Sequence, residues 1–245
     1  MRRLLLILPL TLLVPAARAD DVTDLRDRVL KAQAKDPADL KKFRTFTMKA
    51  KGVSKLAPEP LPGTFEMAAV YPSHMRLTWE FGTGPMKSSV TLCGTDDRGW
   101  KKGTAFPPSE MSVEEVNDFR ADAYAIWVST LVTLDDRNNK LSAAGRDKVD
   151  SAPVVGLKVS RRPWPEVTLW FGEKSGLLRK AAYQSREAGA LLSKELIYDG
   201  HKDVGGLMVP TKHTMRVNQR DVYLWTDMEY AFPDRIDPAE FAKPK

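Results

Sequence analysis

Cysteine is almost absent from this chain: Cys93 is the only one in 245 residues. A lone cysteine makes no internal disulfide, so a packed core must hold the chain together. It closes the run Val90-Thr91-Leu92 with no histidine beside it, which fits a small buried residue better than an activated thiol. Histidine is scarce as well, at positions 74, 201 and 213. His201-Lys202-Asp203 falls in an expected turn and has no third ligand at helical or hairpin spacing, so it reads as solvated turn rather than metal site. There is no G-x-S-x-G, H-E-x-x-H, P-loop or C-x-x-C. The carboxylate pairs Asp96-Asp97, Glu114-Glu115 and Asp135-Asp136 lie in turns or at a helix start, where neighbours do not face one reaction centre. No catalytic residue, metal or cofactor is assigned, and an enzyme is not expected. Charge of one sign is also in short supply. Lys and Arg number 38 against 32 Asp and Glu, with no basic block long enough to grip nucleic acid.

What is present begins at the N-terminus. Arg2 and Arg3 precede the apolar run Leu4 to Val14, followed by Pro15 and Ala17-Arg18-Ala19. A basic start, a short apolar core and a small-x-small end make a secretory signal peptide. The run is too short for a stable bilayer span. Cleavage is expected after Ala19, giving a periplasmic or otherwise exported protein that is not integral to the membrane. Removing 19 of the 245 residues leaves 226, and loss of Arg2, Arg3 and Arg18 takes the +6 charge to +3. Residues 20–245 carry no repeat and no low-complexity linker, and are read as one domain.

Residues 20–35 read as an amphipathic helix, with Val22, Leu25, Val29 and Ala32 at helical spacing and Asp36-Pro37 ending it. Strands follow. Residues 43–54 and 64–71 alternate, and 74–81 alternates most clearly: Met75, Leu77, Trp79 and Phe81 point one way, His74, Arg76, Thr78 and Glu80 the other. Residues 86–93 and a short strand from Gly99 come next. Ser112 and Glu115 form a capping box that starts a helix expected over residues 113–134, with Tyr124, Trp127 and Leu131 in a half that is apolar all round. Further strands are expected at 153–160, 165–171, 177–186, 191–198, 209–217 and 221–230. Trp170 and Trp225 fall opposite the apolar sets Val167/Leu169/Phe171 and Val222/Leu224, so both are expected on the outer face. The fold class is α+β, mainly antiparallel β. A sheet of about ten or eleven strands does not stay flat; it curls into an incomplete, half-open barrel that the helices cover.

Several short pieces carry a resemblance. They are Tyr71-Pro72-Ser73-His74-Met75-Arg76, Asp97-Arg98-Gly99-Trp100, Phe171-Gly172-Glu173-Lys174-Ser175-Gly176-Leu177-Leu178, Gly206-Leu207-Met208-Val209-Pro210 and the tail from Ile236 to Pro244. With the signal peptide and the helix–meander–helix–meander order, the chain resembles the LolA-like superfamily of periplasmic lipoprotein carriers. The resemblance implies an incomplete antiparallel barrel whose hydrophobic hollow is plugged by helices, and in the best-known members it carries lipoprotein acyl chains. The expected function is a non-catalytic carrier or sensor of a hydrophobic ligand, a lipid or acyl chain. Met75, Leu77, Trp79, Phe81, Val167, Leu169 and Phe171 would line the hollow from the sheet, and Tyr124, Trp127 and Leu131 from the helix. The same residues suit a filled core, which leaves an envelope protein-interaction module as the alternative. A monomer is expected in either case.

Overall fold

The computed structural model describes residues 19–187 and 189–243. The leader expected over residues 1–19 lies outside them, apart from Ala19. Helix α1, Ala19–Gln33, buries Leu25, Val29 and Leu30. It stops ahead of Asp36, whose side chain accepts from the Ala38 N–H at 2.9 Å and caps a 3-10 segment, Pro37–Arg44. That segment, not a strand, holds the buried Phe43.

The first meander is β1 (Thr45–Ser54), β2 (Leu61–Val70), β3 (His74–Phe81), β4 (Ser88–Gly94), β5 (Gly99–Gly103) and β6 (Phe106–Glu110). Helix α2, Val113–Ser129, follows. The second run is β7 (Lys140–Val149), β8 (Ala152–Ser160), β9 (Val167–Gly172), β10 (Leu178–Glu187) and β11 (Ala190–Asp199). The short hairpin β12 (Lys202–Val204) and β13 (Leu207–Val209) precedes β14 (Lys212–Val217) and β15 (Arg220–Ala231). Pro210 separates β13 from β14 where one strand was expected, since a proline cannot donate to the ladder.

Thirteen of these strands form one antiparallel sheet in the order β6-β5-β4-β3-β2-β1-β15-β14-β11-β10-β9-β8-β7. The expected ten or eleven fell short because the two outermost strands were not read. Pro107 and Pro108 in β6 are tolerable only at an edge. β7 is largely exposed, broken by a bulge near Gly145, and charged at Lys140, Arg146, Asp147 and Lys148. Charge and bulges blunt an edge, and they also erase the alternation that marks a strand. Nor is the order a simple meander, because β15 inserts between β1 and β14 and joins the two runs.

The sheet curls without closing. Strands β4 and β10 stand seven places apart, about 34 Å on a flat sheet. Yet α2, a rod about 10 Å across, touches both. The two ends of the sheet must therefore bend toward one another around the helix. The capping box forms as expected: Glu115 N–H donates to Ser112 Oγ at 3.2 Å and Ser112 N–H to Glu115 Oε2 at 2.8 Å. The helix ends five residues earlier than expected. Thr130 Oγ1 donates to the Trp127 carbonyl at 2.7 Å, and Leu131 takes a φ of +64°. Leu131 is thus a buried loop residue, not part of the covering helix; the β-branched Thr130, Val132 and Thr133 favour that break. No helix among the described residues is long and apolar enough to cross a membrane.

The tail packs on the convex face. Phe241 sits against Ala68 and Cys93, the Cys93 thiol donates to the Phe241 carbonyl at 3.1 Å, and Arg76 pairs with Glu240 at 2.8 Å. Burial pushes the Cys93 thiol up to about 11, which keeps it protonated and inert.

Candidate functional site

Between the concave face of the sheet and α2 lies a cavity of about 880 Å³, within the range of small-molecule sites. Its floor is aromatic. Phe81 on β3 faces Gly63 on β2, Gly63 faces Gly52 on β1, and Gly52 faces Trp225 on β15. A Cβ at Gly63 would meet Phe81 Cδ1 at 2.5 Å, and one at Gly52 would meet Trp225 Cε3 at 2.7 Å. The two glycines therefore let large rings lie flat over the strands. Phe81 stacks on Tyr223 at 5.6 Å and 5°, Phe65 on Trp225 at 5.4 Å, and Phe65 lies 5.4 Å from Trp79. The row continues through His213 on β14 to Tyr198 on β11, whose rings stack at 5.2 Å.

One side is polar. Glu115, Asp118 and Asp122 on α2 border the cavity beside Lys101 and Lys194. Lys194 is 3% exposed; its Nζ donates to Asp122 Oδ2 at 2.6 Å and lies 3.6 Å from Glu187. Lys101 pairs with Glu115, which lowers the Glu115 carboxyl. Burial, with Glu114 and Asp122 adding to it, raises Asp118. Four lining residues carry buried polar atoms without a partner: Gln33 Oε1, Asp122 Oδ1, His201 Nε2 and His213 Nε2. Burial lowers His213 to about 4 and is also the main cause that lowers His201. His201 is thus a half-buried wall residue, not solvated turn. Among the described residues no group of His, Cys, Asp and Glu is placed to hold a metal.

Of the ten residues expected to line the hollow, Leu77, Trp79 and Phe81 lie on this cavity. Met75, Tyr124 and Trp127 line a second cavity of about 360 Å³ on the other side of α2. Val167, Leu169 and Phe171 line neither; they are wholly buried in packed core on β9, and Leu131 is buried beyond the helix end. Trp170 lies on the convex side with Val149, Val154 and Ile197, as expected. Trp225 does not. A bulge gives β15 one extra residue against β1, with Asp227 at φ +49°. That turns Tyr223 and Trp225 inward along with Met228 and Tyr230. Phe65, Trp225, His213 and Lys194 were missed. The one signal for them was glycine inside two strands, which marks a close approach.

Four of the large apolar side chains exposed among the described residues sit at one end of the sheet. Leu56 and Leu61 flank the β1–β2 turn, Phe106 the β5–β6 turn and Leu191 the β10–β11 turn. Leu56, 65% exposed, itself lines the cavity with Leu192 and Val217. The rim is therefore continuous with the floor.

No protein-family model matches the sequence, and no curated protein matches it. Solved structures do. A LolA superfamily protein from Nitrosomonas europaea superposes with a TM-score of 0.54 at 12% identity, covering 91% of this chain and 97% of that one. A domain ascribed to outer membrane lipoprotein sorting, from Vibrio parahaemolyticus, gives 0.54 at 11% over the same shares. A DUF1329 family protein from Desulfovibrio piger gives 0.55 at 12%, over 90% and 97%. The fold is LolA-like. Identities this low carry the architecture and not a cargo. In this LolA-like chain the likeness extends over nine-tenths of the length.

Proposed function

We propose that this chain is an exported, non-catalytic carrier or sensor that holds an amphiphile with a long apolar tail. The cavity of about 880 Å³ paved with stacked rings carries this reading. Aromatic walls offer large apolar area at little cost in side-chain freedom. Burying a methylene yields about 0.8 kcal/mol, so one long acyl chain grosses on the order of 10 kcal/mol before ordering costs are subtracted. The tail would lie along Phe65, Trp79, Phe81 and Trp225. The head would sit beside α2, where Asp118, Lys194 and Asp122 supply charge of both signs. The LolA-like fold and the likeness to a domain ascribed to lipoprotein sorting support the reading. Native mass spectrometry of protein taken from its own cell envelope tests it, together with saturable uptake of a dansylated fatty acid. A bound lipid mass or one equivalent of probe is expected. Apo protein in the first measurement and no uptake in the second would remove the carrier.

A second reading, an envelope protein-interaction module, is favoured by the exposed rim of Leu56, Leu61, Phe106 and Leu191. Apolar side chains gathered at one end rather than scattered mark a contact surface. Leu61→Ser with Leu191→Ser, neither of which lines the cavity, would then abolish capture of an envelope partner while leaving fatty-acid uptake within twofold.

A further inference from the structure

The 360 Å³ cavity on the far side of α2 belongs to neither reading. Positions 120, 124 and 127 share one face of the helix by their spacing, and none of them lines the large cavity. Phe119 is the one side chain that lines both and forms the partition, with a ring so close to Gly94 that a Cβ there would meet it at 2.4 Å. The walls are aromatic: Tyr124 stacks on Trp164 at 5.4 Å and 14°, and Tyr71 stands edge-on to Trp127 at 5.1 Å. The Arg120 guanidinium lies over the Trp164 ring, 5.1 Å from its centroid, and no carboxylate among the described residues pairs with it. The other cation, Arg161, is engaged: its Nη1 donates to Asp136 Oδ2 at 2.7 Å. Asp96 on the β4–β5 turn lines the cavity too, with its side chain exposed. Arg120 is therefore the cation of the lining that no carboxylate among the described residues contacts. Trp127 is 6% exposed, and its Nε1–H is buried with no acceptor. Buried donors are nearly always satisfied, so this N–H is available to an acceptor that enters the cavity.

We propose that this cavity is a separate binding site for a small aromatic carboxylate. The ring fits among Tyr71, Tyr124 and Trp164. The carboxylate meets Arg120 in a charge-assisted pair, and the Trp127 N–H donates to a ligand oxygen. A cavity that takes benzene has about 150 Å³, so the larger volume here leaves room for one ring with an acidic arm. The site does not depend on the carrier reading, because its walls and the floor of the large cavity are different side chains.

The indole N–H region of a 1H–15N spectrum reports on it directly. Six tryptophans give separable signals, and Trp127 is assigned by its loss in Trp127→Phe. Titration with sodium benzoate is expected to move the Trp127 indole signal saturably and leave Trp225 in place. Neutral benzamide should bind about tenfold more weakly, as should benzoate to Arg120→Gln, with Arg120→Lys restoring part of the affinity. A dansylated fatty acid should do the reverse, moving Trp79 and Trp225 but not Trp127, which separates this site from the carrier cavity. A Trp127 signal that stays still under benzoate, or follows benzamide equally in the wild-type protein, overturns the proposal even if the Arg120 variants do not fold.

Discussion

Strands β3 and β9 carry the same signature and meet different fates. Leu77, Trp79 and Phe81 alternate inward on β3 and face a hollow; Val167, Leu169 and Phe171 alternate inward on β9 and are wholly enclosed. The difference lies in what is laid over them. Helix α1 packs on β7 and β8, and α2 on β9 and β10, so one side of the concave face is filled by helices. The other side is roofed only in part and paved with rings. Period-two alternation identifies an inward face, but not whether anything rests on it.

Truncation tests this contrast most strongly. Leu169→Ala removes atoms from close-packed surroundings and should cost about 3–4 kcal/mol in urea unfolding. Leu77→Ala, whose side chain already borders open space, should cost about 1–2 kcal/mol because fewer contacts are lost. Equal losses would mean that the hollow is as tightly filled as the β9 side.

Lys194 links the two sides, reaching from β11 to Asp122 on α2. Lys194→Met strands a half-buried carboxylate and should destabilise by about 2–3 kcal/mol, whereas Lys194→Met with Asp122→Leu should regain most of it. A double variant no better than the single one would show that the helix is not held by this pair.

A comparable effect is expected from pH. His213 is held near 4 by burial, below its value in the unfolded chain of about 6.5. Between these values the unfolded state binds more protons, so stability falls as pH drops from about 6.5 toward 4 and is fully present above that window. The contribution is on the order of 3 kcal/mol, and His213→Phe should flatten that part of the stability–pH curve. If the slope is unchanged in the variant, the ring is wet from the cavity and the floor is not as dry as the stacked rings imply.

Much of the architecture was legible where the cause is local. Ser112 and Glu115 announce α2, Asp36-Pro37 ends α1, and β3 begins and ends where its alternation does. The edges were not legible, because the prolines of β6 and the charges of β7 that protect an edge remove the pattern of a strand. Trp225 was misplaced for a different reason. Its parity with Met228 is reversed by the bulge at Asp227, and nothing within β15 announces it. The candidate site was legible only in part. Leu77, Trp79 and Phe81 follow from their own strand, whereas Phe65, His213 and Lys194 join them through pairings made across the whole sheet.

The seam between β1 and β15 has a consequence for how such a molecule comes into being. Each meander pairs its strands locally, but β15, which bridges them, follows every other strand along the chain. Until it arrives, β1 and β14 each present an open row of backbone donors and acceptors to any passing chain. Completion by so distant a segment is slow by topology. Those two edges are therefore where a half-assembled molecule is most open to pairing with another chain.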